Sequence, residues 1–223
     1  MTHFVLIPGA GGTGWYWSRV LPMLTAAGHE ATAIDLPADD PMAGLVAYAD
    51  RVVAAIDGPT DSVVVAMSLG GFTAPLVAAR VPLRMLVFVN AMIPLPGETA
   101  GAWWENTGSD AARTEAAKAA GYDPGFDLDT YFLHDVAPEV AAEGEQYQRP
   151  EGDIVFGEPC AFTAWPAIPI QVIAGRDDRF FPVGFQQRVA RERLGVEADV
   201  LPGGHLMALS QPRALADQLL RYL

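Results

Sequence analysis

The chain has 223 residues, of which 51% are hydrophobic and 18% charged, and it carries a formal net charge of −13. This composition is typical of a globular protein with a substantial core, and the negative charge argues against nucleic acid or anionic membrane surfaces as partners, since both repel an acidic protein. One cysteine excludes an intramolecular disulfide or a cysteine metal cluster, and the four histidines lack metal-binding spacings, so we expect neither metal nor cofactor.

The first apolar run, Phe4–Ile7, has the length of a strand rather than that of a membrane span. No basic stretch precedes it, and no later run is long and apolar enough to cross a bilayer. We therefore expect a cytoplasmic protein without a membrane partner.

Strand-like runs alternate with helix-like segments through the first part of the chain and again near its end. The predicted helices lie at about Trp17–Ala27, Met42–Ile56, Leu69–Arg80, Pro182–Leu194 and Pro212–Leu223. The predicted strands are His3–Ile7, Glu30–Leu36, Ser62–Met67, Arg84–Asn90, Ile168–Ala174 and Ala198–Leu201. Because these strands are apolar throughout, they predict an α/β fold with a mainly parallel sheet of about six strands and helices on both faces.

The alternation is interrupted between about residues 95 and 165, where strand runs give way to glycine, proline, acidic and aromatic residues, Trp103 and Trp104 among them. So long a segment without structure is uncommon in a compact chain. We predict a small, mostly helical lid insertion over the sheet. The chain is then a single domain, 1–223, with a core formed by 1–94 and 166–223.

The strongest predicted strand runs directly into the sequence AMSLGG at residues 66–71, which opens a predicted helix. A sharp strand-to-helix turn lifts its central residue above the sheet, and the neighbours two positions away must be small because they crowd each other. Ala66 and Gly70 meet this requirement around Ser68. The motif resembles the G-x-S-x-G nucleophile elbow of the α/β-hydrolases, with alanine for the first glycine, and the resemblance implies that Ser68 is the nucleophile. An ordinary helix N-cap serine is the alternative.

A serine nucleophile needs a base, and the base needs an acid to orient it. The sequence GRDDRFFP at residues 175–182 resembles the acid turn of the family, and its register selects Asp178 over Asp177. The sequence PGGH at residues 202–205 resembles the histidine loop and makes His205 the candidate base. The order serine, acid, histidine is that of the family.

The loop after the first strand, PGAGGTG at residues 8–14, stands where the family has its oxyanion loop. The resemblance implies that the backbone N–H groups of Ala10 and Leu69 stabilise the oxyanion. A phosphate-binding reading of this glycine-rich loop is poor, because the Lys-Ser/Thr pair of a P-loop is missing.

The opening FVLIPGAGGTGWYW and the closing GGHLMALSQP resemble the compact branch of the family that contains methylesterases and hydroxynitrile lyases. The first strand begins almost at residue 1, which suggests a shortened, six-stranded core. The lyases carry a threonine in the first loop and a lysine after the histidine, whereas Gly9 and Leu206 occupy those places here. Hydrolysis is therefore favoured over cyanohydrin cleavage.

The resemblance implies a serine hydrolase that cleaves a small carboxylic ester through an acyl-enzyme. Aromatic residues of the first loop and the insertion would then shape the substrate pocket. The candidate substrate-binding residues are Gly9, Trp15, Trp103, Trp104 and Leu206, although many of the rings would only pack the insertion onto the sheet. A C–C bond hydrolase or lactonase with the same triad, or a non-catalytic ligand receptor on the same scaffold, are the alternatives.

Overall fold

The computed structural model describes residues 1–56 and 61–223. Within these ranges the chain forms a parallel sheet of six strands in the order β2-β1-β3-β4-β5-β6. The strands are β1 His3–Ile7, β2 Glu30–Ala33, β3 Ser62–Met67, β4 Met85–Val89, β5 Ile170–Gly175 and β6 Ala198–Leu201. The α/β architecture and the parallel sheet predicted from the sequence are confirmed.

Helices cover both faces of this sheet. In chain order they are α1 Leu21–Ala26, α2 Leu45–Val53, α3 Ala74–Ala78, α4 Ala100–Thr107, α5 Ser109–Ala120, α6 Pro138–Gly144, α7 Ile154–Gly157, α8 Val183–Leu194, α9 Met207–Ser210 and α10 Pro212–Arg221. In the described ranges, no helix is both long and apolar enough to cross a membrane.

The core consists of two layers because successive strand residues point to opposite faces of the sheet. On β3, Val64 and Ala66 belong to the layer that includes residues of α2, α3 and α8. Val63, Val65 and Met67 belong to the opposite layer, with residues of α1 and α10. Strands buried on both sides explain the continuous apolar runs in the sequence.

Three predicted helices begin later than expected: α2 begins at Leu45 instead of Met42, and two others begin after a 3-10 turn. The predicted helix Trp17–Ala27 is a 3-10 turn at Gly14–Trp17 followed by α1, and the segment Leu69–Arg80 is a 3-10 turn at Ser68–Phe72 followed by α3. Both α-helices have a proline in their first turn, Pro22 and Pro75. Proline lacks a backbone N–H and is tolerated in an α-helix only near its start, so each proline marks the beginning of its helix.

The segment from residue 95 to 165 contains helices α4–α7, a π-helical turn at Asp129–Leu133 and a 3-10 turn at Glu145–Tyr147. We call this segment the insertion. One of its attachments is a buried ion pair between Glu98, which precedes α4, and Arg193 of α8. Another is Trp15, which stacks on Tyr147.

Candidate active site

Ser68 stands at the junction between β3 and the 3-10 turn that follows it, at the carboxyl edge of the sheet. Its φ angle is +49°, a left-handed conformation that costs a non-glycine residue about 1–2 kcal/mol. Its surroundings leave little space: a Cβ atom on Gly70 would lie 2.3 Å from the carbonyl oxygen of Pro8. Gly70 must therefore be small because of the first loop, whereas the motif predicts a close approach to Ala66.

The structure brings the three predicted catalytic residues together. The Oγ of Ser68 lies 3.1 Å from Nε2 of His205, and Nδ1 of His205 lies 2.9 Å from Oδ2 of Asp178. Because a carboxylate only accepts hydrogen bonds, Nδ1 carries a proton, and in the neutral ring Nε2 is free to accept from the Ser68 hydroxyl. The side chains of His205 and Asp178 are fully buried, so solvent does not screen the contact between them.

Asp178 follows the end of β5 and is fixed by the turn that it begins. Its Oδ1 accepts hydrogen bonds from the backbone N–H groups of Phe180 and Phe181, at 2.8 and 2.9 Å, and its Oδ2 also accepts from the side chain of Gln186 at 3.1 Å. These donors stabilise the ionised carboxylate and set its orientation toward the imidazole.

The neighbouring carboxylate of Asp177 points elsewhere. Its Oδ2 accepts from the backbone N–H of Gly203 at 3.0 Å, and its own N–H donates to the carbonyl of Gly203 at 3.0 Å. Asp177 therefore joins the acid turn to the loop that carries His205, whereas Asp178 contacts the ring.

Asn90, which the sequence reasoning treated only as the end of a strand, is fully buried beneath this site. Its side-chain amide donates to the carbonyls of Gly204 and His205, at 2.9 and 3.1 Å, and its Oδ1 accepts from the N–H of Gly175 at 2.6 Å. Asn90 thereby ties the end of β5 to the histidine loop. The available signal was an amide side chain directly after an apolar strand at the carboxyl edge of a parallel sheet, where polar residues often serve a site.

The first loop lies directly against the elbow. A Cβ atom on Gly9 would lie 2.9 Å from Cβ and 3.5 Å from Oγ of Ser68, so a side chain at position 9 would press on the serine. Within the described part of the chain, no acceptor is found for the backbone N–H of Ala10 or of Leu69. Both N–H groups are thus free to donate, as oxyanion donors must be, and their role stays a prediction.

The match to known proteins covers nearly the whole chain. A sequence model of the alpha/beta hydrolase family matches residues 4–218. The chain belongs to this family.

Two curated relatives extend the comparison. Norfluorocurarine synthase 1 from Strychnos sp is 26% identical over 247 residues, which cover 96% of this chain and 92% of that protein. Probable esterase PIR7A from Oryza sativa subsp. indica is 28% identical over 261 residues, with coverages of 98% and 95%. Among solved structures, polyneuridine aldehyde esterase matches with a TM-score of 0.80 at 21% identity, covering 100% of this chain and 99% of that one. This last likeness shows the fold.

In this α/β-hydrolase, aromatic rings enclose the imidazole of His205. The ring centroids of Phe132, Phe180 and Phe181 lie 4.7, 5.1 and 5.2 Å from that of His205, each in an edge-on arrangement. Phe132 belongs to the insertion, and the other two belong to the acid turn. The reacting atoms are therefore bordered by an apolar wall, one side of which the insertion supplies.

The residues predicted to contact substrate lie in different places. Gly9 is beside Ser68, and Leu206 follows His205 and packs on the core layer that includes residues of α1 and α10. Trp15 is half-buried, and its indole N–H donates to Glu143 of the insertion at 3.1 Å. This contact and the stacking on Tyr147 favour an attachment role for Trp15 over substrate contact.

The two tryptophans of α4 differ from each other. Trp103 is fully buried, its indole N–H donates to the carbonyl of Ile93 at 3.1 Å, and its ring packs on Phe181 and Phe185. This placement favours a packing role. Trp104 is half-buried and packs edge-on against Phe180, one of the rings around His205, so it remains a candidate for the outer part of the pocket.

Two titratable residues of the insertion, His134 and Asp135, lie beside the histidine loop. Oδ2 of Asp135 accepts from the N–H of Gly204 at 2.6 Å, directly before His205. Nε2 of His134 lies 4.0 Å from the other carboxylate oxygen, and burial lowers the pKa of this imidazole. Among the described residues, no cluster of three or more histidine, cysteine, aspartate or glutamate side chains is arranged to hold a metal ion.

Proposed function

We propose that this protein is a serine hydrolase that cleaves a small carboxylic ester through an acyl-enzyme intermediate. The observation that carries the proposal is the continuous contact from Ser68 Oγ through both nitrogens of His205 to Asp178, with the serine held in a left-handed backbone at the edge of the sheet. Nucleophile, base and orienting acid in hydrogen-bond contact are the equipment of acyl transfer.

In the proposed reaction, Ser68 attacks the acyl carbon while His205 takes its proton. The backbone N–H groups of Ala10 and Leu69 donate to the oxyanion of the tetrahedral intermediate. His205 then protonates the leaving alcohol and afterwards activates a water molecule that releases the acid. Asp178 stays ionised and stabilises the imidazolium formed in each half of the reaction. Removal of either oxyanion donor would raise the barrier by roughly 3–4 kcal/mol.

The aromatic border of the site supports an ester with an apolar acyl or aryl group. Three rings surround the imidazole, and Trp104 with Phe126 extends this surface outward along Phe180. Apolar walls with a few polar groups at the reacting centre are the usual form of a small-molecule site. In this proposal the insertion acts as a lid, because Phe132 brings it into contact with the catalytic base.

Ester hydrolysis is favoured by the probable esterase that is 28% identical over nearly the full length of both chains. A relative named as a synthase shows that the family includes other reactions, so family membership alone does not choose the bond. Cleavage of a C–C bond or a lactone would use the same three side chains. A ligand receptor on this scaffold would bind without turnover.

The test is Ser68→Ala, compared with the wild-type protein on a panel of short-chain p-nitrophenyl and methyl esters. We expect wild-type turnover and labelling by a fluorophosphonate probe, and loss of both in the variant, with an unchanged circular dichroism spectrum. Wild-type protein that resists the probe and hydrolyses no ester would refute the proposal. Hydrolysis of lactones or β-diketones in preference to esters would show instead that the protein is a lactonase or a C–C bond hydrolase.

A further inference from the structure

The last part of the insertion lies on the loop that carries the proposed oxyanion donor Ala10. The N–H of Gly11 donates to Oε2 of Glu151 at 2.7 Å, and Nη2 of Arg149 donates to the carbonyl of Gly12 at 2.6 Å. A Cβ atom on Gly11 would lie 2.9 Å from the carbonyl oxygen of Arg149. Side-chain and backbone atoms of the insertion therefore pack directly against this loop.

The carboxylate of Glu151 is also held from its other side. The hydroxyl of Tyr48, a residue of α2 that is 2% exposed, donates to Oε1. Burial raises the pKa of Glu151, although the hydrogen bonds from Tyr48 and Gly11 and the charge of Arg149 act to lower it. Both oxygens of Glu151 accept a hydrogen bond, one from Gly11 and one from Tyr48, as the oxygens of an ionised carboxylate do.

The loop itself is a tight turn, and such a turn can have a type I or a type II backbone. The N–H of Gly12 donates to the carbonyl of Gly9 at 3.1 Å, and Gly11 has a φ angle of +79°, as expected at the third residue of a type II turn. Type I and type II turns differ by a rotation of their central peptide through roughly half a turn. In this loop the central peptide joins Ala10 to Gly11. Its N–H, that of Gly11, donates the hydrogen bond that Glu151 accepts.

The geometry points to Glu151 as a positioning residue that holds the turn at residues 9–12 in one conformation beside Ser68, and with it the position of the Ala10 N–H. An ionised carboxylate attracts the N–H of Gly11. If the central peptide rotated, the carbonyl oxygen of Ala10 would take the place of that N–H and would be repelled by the same carboxylate. The inference rests on the proposed function, since it assigns a role to the loop in stabilising an oxyanion.

The test compares Glu151→Ala with the wild type at about pH 8, with active enzyme counted by fluorophosphonate titration. A donor that is misaligned in the transition state lowers kcat, whereas substrate binding is little affected. We expect kcat to fall by roughly 10- to 100-fold, less than the loss of a whole oxyanion donor causes, with KM within about threefold of wild type. The rate of phosphonylation by the probe should fall in parallel, because it uses the same donors.

Glu158→Ala is the matched control. Its carboxylate also joins the insertion to a backbone N–H of the core, that of Leu45 at 2.5 Å, but at the start of α2 rather than in the oxyanion loop. We expect this variant to lose stability and to keep its kcat. Glu151→Gln is a second variant in case Glu151→Ala does not fold. Its amide can accept from Gly11 or donate to the rotated Ala10 carbonyl, so its kcat should lie between those of the wild type and the alanine variant.

A readout independent of turnover is the amide proton resonance of Gly11. A charged acceptor shifts this resonance downfield, so it should move upfield in Glu151→Ala and stay unchanged in Glu158→Ala. A Glu151→Ala protein with wild-type kcat per active site, or an equal loss of kcat in Glu158→Ala, would overturn the inference. If Glu151→Ala does not fold, wild-type kcat in Glu151→Gln has the same consequence. Failure of the proposed function is recognised separately, from a wild-type protein without turnover or labelling.

Discussion

The side chain of Asn90 donates to the backbone carbonyl of His205 at 3.1 Å, from a residue that has itself a left-handed φ of +46°. Among the described residues, only Asn90 and Ser68 combine a side chain with a positive φ. At Ser68 this conformation places the hydroxyl beside His205. At Asn90 it places the side chain between the end of β5 and the histidine loop. Backbone strain at both positions is thus located at the site, where the surrounding hydrogen bonds compensate it.

Replacement of Asn90 should affect both stability and catalysis. We expect Asn90→Ala to lower the free energy of unfolding by about 3–5 kcal/mol, because it leaves buried polar groups without partners and places alanine in a left-handed conformation. Asn90→Gly removes the same hydrogen bonds without the backbone strain and should be the more stable of the two. Urea unfolding measures both. In both variants kcat should fall, and wild-type kcat in each would show that Asn90 does not position His205.

The two adjacent aspartates allow a direct test of which one orients the base. In Asp178→Asn, an amide faces the imidazole and Gln186, so the proton is no longer held on Nδ1 of His205; kcat should fall on the order of 10³- to 10⁴-fold. In Asp177→Asn, the amide oxygen can still accept from Gly203, and we expect less than about a tenfold loss. Steady-state kinetics on both variants measures this difference in kcat. Equal unfolding midpoints of the two variants are the control. The reverse order would assign the acid to Asp177.

Much of the site was accessible from the sequence because its parts follow recognisable strands. Ser68 comes after the most β-branched run in the chain, and the acid turn and histidine loop come after the two later strands. In a parallel sheet the carboxyl ends of the strands meet at one edge, so residues distant in sequence are brought together by the topology alone. Choosing Asp178 over its neighbour depended on the register of a known motif.

Other parts could not be predicted because their partners are remote. The acceptor of the Gly11 N–H is Glu151, which lies 140 positions later in a segment without a strand or repeat to fix its place. Trp103 and Trp104 are adjacent in the sequence, yet Trp103 is fully buried and Trp104 packs on Phe180, one of the rings around His205. Composition predicts an aromatic insertion, but only packing determines which ring faces the core.

Because Gly9 lies so close to Ser68, we expect even a methyl group at position 9 to lower the activity. In Gly9→Ala, the new methyl group would lie 2.8 Å from Sδ of Met67 and 2.9 Å from Cβ of Ser68. Displacement of either loop by a fraction of an ångström misaligns nucleophile and oxyanion donor, so we expect kcat to fall by at least about tenfold. Gly184→Ala in α8 is the control, since its Cβ would meet no atom within 4 Å. Equal kcat values for the two variants would contradict the steric argument.

The ion pair between Glu98 and Arg193 should make stability depend on pH. Burial raises the pKa of Glu98, but the hydrogen bonds from Arg193, the Asn106 amide and the Leu95 N–H, together with the arginine charge, outweigh it and lower the pKa below its ordinary value. The unfolded chain therefore takes up the proton at a higher pH than the folded protein. The stabilisation is complete above the usual glutamate pKa of about 4.3 and is lost as the pH falls through the lower folded value.

Glu98→Gln isolates this contribution. At neutral pH we expect it to lower the free energy of unfolding by about 3–5 kcal/mol, because it leaves the buried guanidinium of Arg193 without its counter-charge. The difference from wild type should shrink as the pH falls below about 4.3, since the unfolded wild-type chain is then protonated at Glu98 and the folded carboxylate follows at its lower pKa. Urea unfolding at several pH values measures it, and Glu105→Gln, an exposed position on α4, should differ from wild type by less than about 0.5 kcal/mol. A Glu98→Gln deficit that stays constant across this range would mean that the carboxylate acts through its shape rather than its charge.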